Sequence, residues 1–213
     1  MKFCIIGLGR FGYQVATVLA ENGMEVLAVD NNEAIVASIR DKVTQAICMK
    51  VTDEESLRSI GVDEMDTVVV AMGENFAESV LITAILKKLG TKKIIARAVN
   101  EIHKDILTLV GADRVVLPEK EIGIRLADNL SSPFTDLTRL TKTFSISLIS
   151  APSRFVGKTL KALNFFNDYR VHCIGLKIGD DTINPIESSH VITAKDRLVF
   201  AGENDDLEKV AAL

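Results

Sequence analysis

A glycine-rich segment near the N-terminus constrains the fold of this chain more than any other feature. Gly7-Leu8-Gly9-Arg10-Phe11-Gly12 follows the apolar run Phe3 to Ile6 and precedes a stretch of helical periodicity. In such a loop the first glycine permits a tight turn, the second lets the backbone approach a pyrophosphate, and the third lets the helix pack on the strand. The segment therefore predicts a strand–loop–helix unit whose helix N-terminus binds phosphate.

Short apolar runs alternate with helical stretches up to about residue 117. Six runs are rich in β-branched and aliphatic residues: Phe3 to Ile6, Val26 to Val29, Ala46 to Met49, Val68 to Ala71, Ile94 to Ala96, and Val115 to Leu117. They lack polar alternation, which is typical of parallel strands covered by helices on both faces. The fold class predicted is α/β, a Rossmann-like doubly wound parallel sheet.

The pattern changes after a helix predicted from Glu119 to Leu130, where Ser131, Ser132 and Pro133 suggest an exit from the first domain. We assign residues 1–133 to the nucleotide-binding domain, 134–143 to a linker and 144–213 to a small α+β domain. The small domain is predicted from strands at 144–148, 171–176 and 197–201, a short helix at 160–165, a turn at Gly179-Asp180-Asp181 and a closing helix from about Asp205.

Candidate ligand-binding residues follow the ends of the predicted strands. Asp30 ends the second strand about 20 residues after the glycine loop, where a carboxylate accepts hydrogen bonds from ribose hydroxyls and repels a 2′-phosphate. Arg10 either contacts phosphates or lies in solvent or against another subunit. Further candidates at the same sheet edge are Phe11, Asn31, Thr52, Asp53, Ala71 and Gly73. Asp53 serves equally well as a helix N-cap.

Charge and composition exclude several classes of partner. The formal net charge is −4 with both signs well mixed, so no nucleic-acid partner is expected. No apolar run approaches the roughly 20 residues that span a bilayer, and the N-terminus has no room for a signal peptide, so a cytoplasmic location is expected. Cys4, Cys48 and Cys173 are expected to be reduced, buried thiols.

Two enzymatic interpretations are weaker. A nicotinamide-dependent oxidoreductase needs an acid–base residue and a catalytic domain. The three histidines are scattered, and none has a carboxylate at a spacing that indicates an acid–base pair, so we expect them at the surface or at an interface: His103, His172 and His190. Nucleotide hydrolysis is not expected, because Gly157-Lys158-Thr159 lacks the upstream glycine of a P-loop and reads as a turn before a helix.

These motifs, together with Val70-Ala71-Met72-Gly73 and Gly111-Ala112-Asp113-Arg114-Val115-Val116-Leu117-Pro118-Glu119, resemble the KtrA/TrkA family of RCK-domain proteins over essentially the whole chain. The resemblance implies a regulatory subunit, not an enzyme, that gates a membrane-embedded potassium pore subunit (KtrB- or TrkH-like). It further implies homo-oligomers, dimers assembled into an octameric ring, held at the inner face of the membrane through the pore. A nucleotide-responsive module acting on another target is the remaining alternative.

The resemblance also implies ligands. ATP and ADP are implied for the Ktr type, which the single unit favours, and NAD(H) for the Trk type. Asp30 would hold the ribose, Arg10 would contact phosphates, Arg97 and Asn100 would lie close by, and Glu119 would help to coordinate a divalent or monovalent cation. Glu119 equally complements the dipole of its own helix.

The resemblance implies two further features beyond the nucleotide cleft. The apolar residues Ile122, Ile124, Leu126 and Leu130 would serve either a dimer or the chain's own core. Some relatives bind cyclic di-AMP in the second domain. That pattern is poor here, with Asn167, Arg170 and His172 as the candidate contacts.

Overall fold

The computed structural model describes residues 1–73, 75–131, 136–178 and 182–213. The chain divides into two compact units, Met1–Lys120 and Glu121–Leu213. Within the described residues, no helix is both long enough and apolar enough to cross a bilayer.

The first unit is built on a parallel sheet with strand order β3-β2-β1-β4-β5-β6. Its strands are β1 (Lys2–Ile6), β2 (Glu25–Asp30), β3 (Gln45–Cys48), β4 (Thr67–Val70), β5 (Ile94–Arg97) and β6 (Arg114–Val116). Each lies within one residue of a predicted run, so the doubly wound sheet is confirmed. Because β1 lies at the centre of the sheet, between β2 and β4, the glycine loop that follows it opens into the middle of the carboxyl edge.

The helices of this unit, several of which begin at a side chain that binds their free N–H groups, follow the strands along the chain. They are α1 (Arg10–Glu21), α2 (Glu33–Ile39), α3 (Glu54–Ser59), α4 (Phe76–Lys88) and α5 (Glu101–Leu109), followed by α6 (Pro118–Ser131). The side chains of Asn32, Asp53, Asn75 and Asn100 accept hydrogen bonds from the first turns of α2 to α5. Such caps contribute about 1 kcal/mol each, and they fix where the helices leave the carboxyl edge.

Two apolar layers cover the two faces of the parallel sheet. Successive residues of β1 and β2 enter opposite layers: Cys4 and Val29 pack in one, and Ile5 and Ala28 in the other. All four are fully buried. Burying an aliphatic side chain stabilises a fold by about 1.5–3 kcal/mol, so this core holds the strand ends, and the residues that follow them, in fixed positions.

The second unit is an antiparallel sheet of order β10-β9-β11-β8-β7. Its strands are β7 (Asp136–Arg139), β8 (Phe144–Ser150), β9 (His172–Ile178), β10 (Thr182–Asn184) and β11 (Arg197–Glu203), and its further helices are α7 (Leu160–Leu163), α8 (Phe165–Tyr169) and α9 (Asn204–Ala211). Phe155, Phe165 and Phe200 meet edge to face in its core. The predicted α+β character of the unit is confirmed.

Three details of the second unit differ from the sequence analysis or lie beyond it. The stretch predicted as a linker contains β7, which pairs with β8 and buries Leu137. The single helix predicted at 160–165 is two helices, because Asn164 takes a left-handed conformation with φ 37°. The predicted turn at 179–181, like residues 132 and 133, lies outside the described residues.

The apolar side chains of α6 do not pack into the chain's own core. Ile122, Ile124, Leu126 and Leu130 are all more than half exposed. Of the two alternatives left open by the sequence, burial in the core is therefore excluded for this single chain.

Candidate functional site

A cavity of about 1090 Å³ opens at the carboxyl edge of the parallel sheet. Ten of the residues selected from the sequence line it: Gly7, Gly9, Arg10, Phe11, Asp30, Asn31, Ala71, Gly73, Arg97 and Glu119. Ligands of open α/β sheets bind in this crevice, where helices on opposite faces diverge. The cavity is therefore the candidate binding site of the first unit.

The glycine loop has the geometry that its sequence predicts. Gly7 adopts φ 92°, a left-handed conformation that a side chain rarely tolerates. A Cβ atom on Gly12 would lie 1.9 Å from the carbonyl oxygen of Gly7 and 2.9 Å from Cβ of Ala71. A Cβ atom on Gly9 would meet nothing within 4 Å. Gly12 is thus required by packing, whereas Gly9 leaves an open approach to the N-terminus of α1.

Asp30 joins the second strand to the glycine loop. Its Oδ2 accepts a hydrogen bond from the backbone N–H of Leu8 at 2.6 Å, and its Oδ1 accepts one from the N–H of Asn32 at 2.8 Å. A carboxylate has about four acceptor positions, so both oxygens retain capacity for hydroxyl donors in the cavity. The ribose role expected of Asp30 is compatible with these contacts.

Four predicted ligand residues do not line the cavity. Gly12 packs against Gly7, as described. Asp53 caps α3 in a reciprocal arrangement with Ser56, whose hydrogen bonds lower the pKa of the Asp53 carboxyl. Ser56 Oγ also accepts the N–H of Thr52, and Asn100 caps α5 through the N–H of His103 at 2.8 Å. Local helix capping accounts for the polar side chains of Asp53 and Asn100.

An ion pair that was not expected from the sequence lies at the cavity wall. Lys50 and Glu78 both line the cavity, and their charged groups are 3.5 Å apart. Lys50 follows β3, as do Thr52 and Asp53, the two residues that the sequence had suggested as ligands there. Glu78 lies in the first turn of α4. The signal available in the sequence was the position of Lys50 just after a predicted strand; nothing local marks Glu78.

A second ion pair, between Arg97 and Glu119, also lines the cavity. Arg97 Nη2 donates to Glu119 Oε1 at 2.5 Å. The Arg97 side chain is 20% exposed and that of Glu119 is 69% exposed. The pKa of Glu119 is lowered by a hydrogen bond from its own backbone N–H and by the bond from Arg97. In the described part of the chain, buried Arg97 Nε has no hydrogen-bond partner.

The described residues of one chain do not form a metal site around Glu119. No group of three or more His, Cys, Asp or Glu side chains within them could hold a metal ion. A cation at Glu119 would need additional oxygen ligands, from bound phosphates or a second chain, so this role stays a prediction.

His103 is buried, contrary to the expectation of a surface or interface histidine. Its side chain is fully inaccessible, and its Nε2 lies 2.9 Å from Ser79 Oγ. Because Nδ1 accepts the N–H of Val99, the ring proton resides on Nε2. The ring also packs 4.4 Å from that of Phe76. Burial lowers the pKa of His103, so the neutral ring joins α5 to α4.

The other histidines and the cysteines also depart in part from expectation. His190 has a carboxylate partner, with Nε2 2.7 Å from Asp196 Oδ2, although their spacing of six residues did not suggest it. All three cysteines are free, as expected. Cys4 is buried, whereas Cys48 is exposed because it lies on the edge strand β3.

A small groove of about 240 Å³ lies in the second unit. His172 lines it and stacks on Phe166 at 4.7 Å, with the Arg170 guanidinium 5.7 Å from the Phe166 ring. Asn167 and Arg170 do not line the groove. Of the three candidate contacts for cyclic di-AMP, only His172 lies in the groove, and the role of all three stays a prediction.

Comparisons with known proteins agree with this two-unit organisation. The TrkA-N domain family matches residues 3–118 and the TrkA-C domain family matches residues 145–213. Ktr system potassium uptake protein C of Bacillus subtilis (strain 168) is 35% identical over 209 residues, which cover 98% of this chain and 95% of that protein.

Two solved structures of one channel are also similar. The GsuK channel bound to NAD has a TM-score of 0.69 at 18% identity, covering 99% of this chain and 39% of the channel chain. GsuK bound to ADP has a TM-score of 0.52 at 28% identity, covering 61% and 33%. This chain therefore spans less than half the length of the channel chain. Because both domain families match and 35% identity extends over nearly the whole chain, the chain belongs to the family of TrkA-N and TrkA-C domain proteins. It is a relative of the Ktr potassium uptake proteins.

Proposed function

We propose that this chain is a cytoplasmic regulatory subunit of a potassium uptake system, which binds an adenine nucleotide in the cleft of its first unit. The observation that carries the proposal is the contact of Asp30 with the glycine loop at the edge of a large cavity. It brings a hydroxyl acceptor beside a free helix N-terminus, the two groups that a nucleoside phosphate needs.

The residues of the cleft fit each part of such a ligand. Asp30 would accept the ribose hydroxyls, and the open position at Gly9 would receive phosphate against the first N–H groups of α1. Arg10 and Arg97 supply positive charge in the same cavity. The negatively charged phosphate groups of the nucleotide would accept hydrogen bonds from these donors.

The comparisons support this reading in outline. Ktr system potassium uptake protein C matches nearly end to end, which favours a potassium uptake role over an oxidoreductase. GsuK, at lower similarity, has been solved with NAD and with ADP. Both ligands share an adenosine diphosphate portion, so adenine nucleotide is the class we assign. ATP and ADP are the preferred members and NAD(H) the alternative.

The proposed action requires a partner and more than one copy of the chain. We assign the partner as a membrane-embedded potassium pore subunit that holds the regulator at the inner face of the membrane, and the regulator as dimers assembled into a ring. The exposed apolar residues of α6 are the surface we assign to contact between copies. Two nucleotides would shift the ring between two arrangements only to the extent that they bind those arrangements differently.

Calorimetric titration of the purified chain with ATP, ADP, NADH and NAD tests the nucleotide site. We expect ATP and ADP to bind, and Asp30→Ala to weaken both by about tenfold or more, since a hydrogen bond to a charged group contributes about 1.5–3 kcal/mol. Selective binding of NADH and NAD would assign a Trk-type regulator instead. If none of the four ligands binds, the proposal is wrong.

A cellular assay tests the potassium role. Cells deficient in potassium uptake would receive the pore subunit alone, with the wild-type chain, or with Asp30→Ala. Growth at low potassium should require the wild-type chain, and equal growth without it would contradict a regulatory role.

A further inference from the structure

The ion pair between Lys50 and Glu78 joins two segments that flank the proposed nucleotide site. Lys50 Nζ and Glu78 Oε1 are 3.5 Å apart, and both residues line the cavity. Lys50 follows β3, and Glu78 lies in α4, which follows β4. Because β2 and β1 lie between β3 and β4 in the sheet, the pair connects segments on either side of the strand ends that carry Asp30 and the glycine loop.

A nucleotide held at Asp30 and at the glycine loop extends its base toward β3. Its ribose would lie after β2 and its phosphates after β1, at the N-terminus of α1. The base and the phosphates are attached to opposite sides of the ribose, so the base lies on the side of β2 away from β1. On that side β2 pairs with β3, and the residues that follow β3, Met49 to Val51, line the cavity. We call this part of the cavity the base end.

Glu78 carries a free hydrogen-bond acceptor toward the base end. The side-chain oxygens of Asn32 and Asn75 accept N–H groups of α2 and α4, and Asp30 accepts two backbone N–H groups. In the described part of the chain the Glu78 carboxylate has one charged partner, Lys50. A carboxylate has about four acceptor positions, so Glu78 retains capacity for a donor on a ligand.

Glu78 is held more firmly than its partner. The side chain of Glu78 is 26% exposed and that of Lys50 is 61% exposed. The backbone N–H of Glu78 donates to Asn75 Oδ1 at 3.3 Å, which anchors the residue in the first turn of α4. The helix dipole also favours a negative charge in this turn. The acceptor therefore has a defined place, whereas Lys50 mainly balances its charge.

A fixed carboxylate beside a purine distinguishes the substituents of the ring. The 6-amino group of adenine donates a hydrogen bond to a carboxylate, whereas a 6-oxo group presents only lone pairs, which the carboxylate repels. A site built to bind a donor rejects an analogue that lacks the donor, because the polar group of the protein is then left unpaired. Met49 and Val51 supply apolar surface for the ring at the same end of the cavity.

We infer that Glu78 is the specificity-determining residue for the base: its carboxylate accepts a hydrogen bond from the 6-amino group of adenine and excludes 6-oxopurines. The inference rests on the proposed nucleotide-binding function and deepens it. Glu78 selects the base alone and does not distinguish among ligands that share adenine.

Calorimetric titrations with ADP and inosine diphosphate test the role of Glu78. Inosine diphosphate carries a 6-oxo group and a proton on N1 in place of the 6-amino group. The wild-type chain should bind ADP about tenfold more tightly or better, as expected for a charge-assisted hydrogen bond. Glu78→Gln should bring the two affinities to within about threefold, because an amide accepts from an amino group and donates to an oxo group. The ratio is the readout, since removing a negative charge favours any phosphate.

Two control variants break an ion pair but keep the Glu78 carboxylate. Lys50→Gln breaks the same pair from its other side. Glu54→Gln breaks the pair of Glu54 with Lys88, which joins α3 to α4 at 2.9 Å and is formed by two residues that are not among those lining the cavity. Both variants should keep a preference for ADP of about tenfold or more.

Equal binding of ADP and inosine diphosphate by the wild-type chain would overturn the inference and leave the proposed nucleotide site standing. A Glu78→Gln chain that keeps the wild-type ratio, or a control variant that loses it, would also overturn it. So would a Glu78→Gln chain that is folded by circular dichroism and binds neither ligand, since the residue would then act on more than the base. A wild-type chain that binds neither ligand would overturn the proposed function itself.

Discussion

Replacing Gly12 by alanine should lower the stability of the fold, whereas replacing Gly9 in the same loop should leave the stability nearly unchanged and weaken nucleotide binding. In Gly12→Ala the new Cβ atom would lie 1.9 Å from the Gly7 carbonyl oxygen, a separation that real Cβ atoms do not show, so α1 must move away from β1. Overpacking of this kind costs about 1–3 kcal/mol, and we expect the free energy of unfolding to fall by at least that amount.

Gly9→Ala is the matched substitution, since its Cβ atom meets nothing within 4 Å and its φ of −61° suits any residue. The free energy of unfolding should change by less than about 0.5 kcal/mol. Nucleotide affinity should nevertheless fall, because the methyl group occupies the open approach to the N-terminus of α1.

Urea unfolding followed by circular dichroism measures the two stabilities, and calorimetry with ADP measures the two affinities. Hydrogen exchange over residues 1–120 locates the loss, since two units need not unfold in one transition. A Gly12→Ala chain as stable as wild type would refute the packing argument. A destabilised Gly9→Ala chain, or one that binds ADP normally, would refute the assignment of open space to phosphate.

Two further predictions concern titratable groups. Because burial lowers the pKa of His103, the folded chain binds fewer protons than the unfolded chain below about pH 6.5; stability is present above that pH and is lost as pH falls. The free energy of unfolding should therefore fall between pH 7.5 and 5.5, and urea unfolding of His103→Gln should lack the part of that fall that His103 causes. An unchanged pH dependence in the variant would contradict it. Burial also raises the pKa of Cys4 and of Cys173 to about 12. A disulfide reagent at pH 8 should therefore label exposed Cys48 quickly, partly buried Cys173 more slowly, and buried Cys4 only after denaturation. Rapid labelling of all three thiols in the folded chain would contradict this.

The first unit was predictable from the sequence because its signals are local and agree with each other. Strand runs, helix caps and the glycine loop each follow from a few consecutive residues, and together they place Asp30 beside the loop. Polar residues near strand ends were harder to assign, because a cap and a ligand use the same chemistry. Asp53 and Asn100 are helix caps. To predict a cap and not a ligand residue at these positions, the first residue of the helix must be known to within one position.

Features that depend on distant contacts could not be derived. His103 is buried in the contact between α5 and α4, where Phe76 and Ser79 pack against its ring. Cys48 is exposed because nothing pairs with the outer side of β3 in the described sheet. The Arg97–Glu119 pair joins residues 22 positions apart. Such contacts are set by the packing of whole elements, which periodicity in one segment does not reveal.

The bond from the Leu8 N–H to Asp30 has a consequence for the speed of ligand replacement. It fastens the glycine loop to β2 before any ligand arrives, so the site is preorganised and little ordering entropy is lost on binding. A loop that needs no rearrangement should admit each nucleotide at a similar rate. Replacement of one nucleotide by another is then timed by how long the departing molecule resides in the cleft.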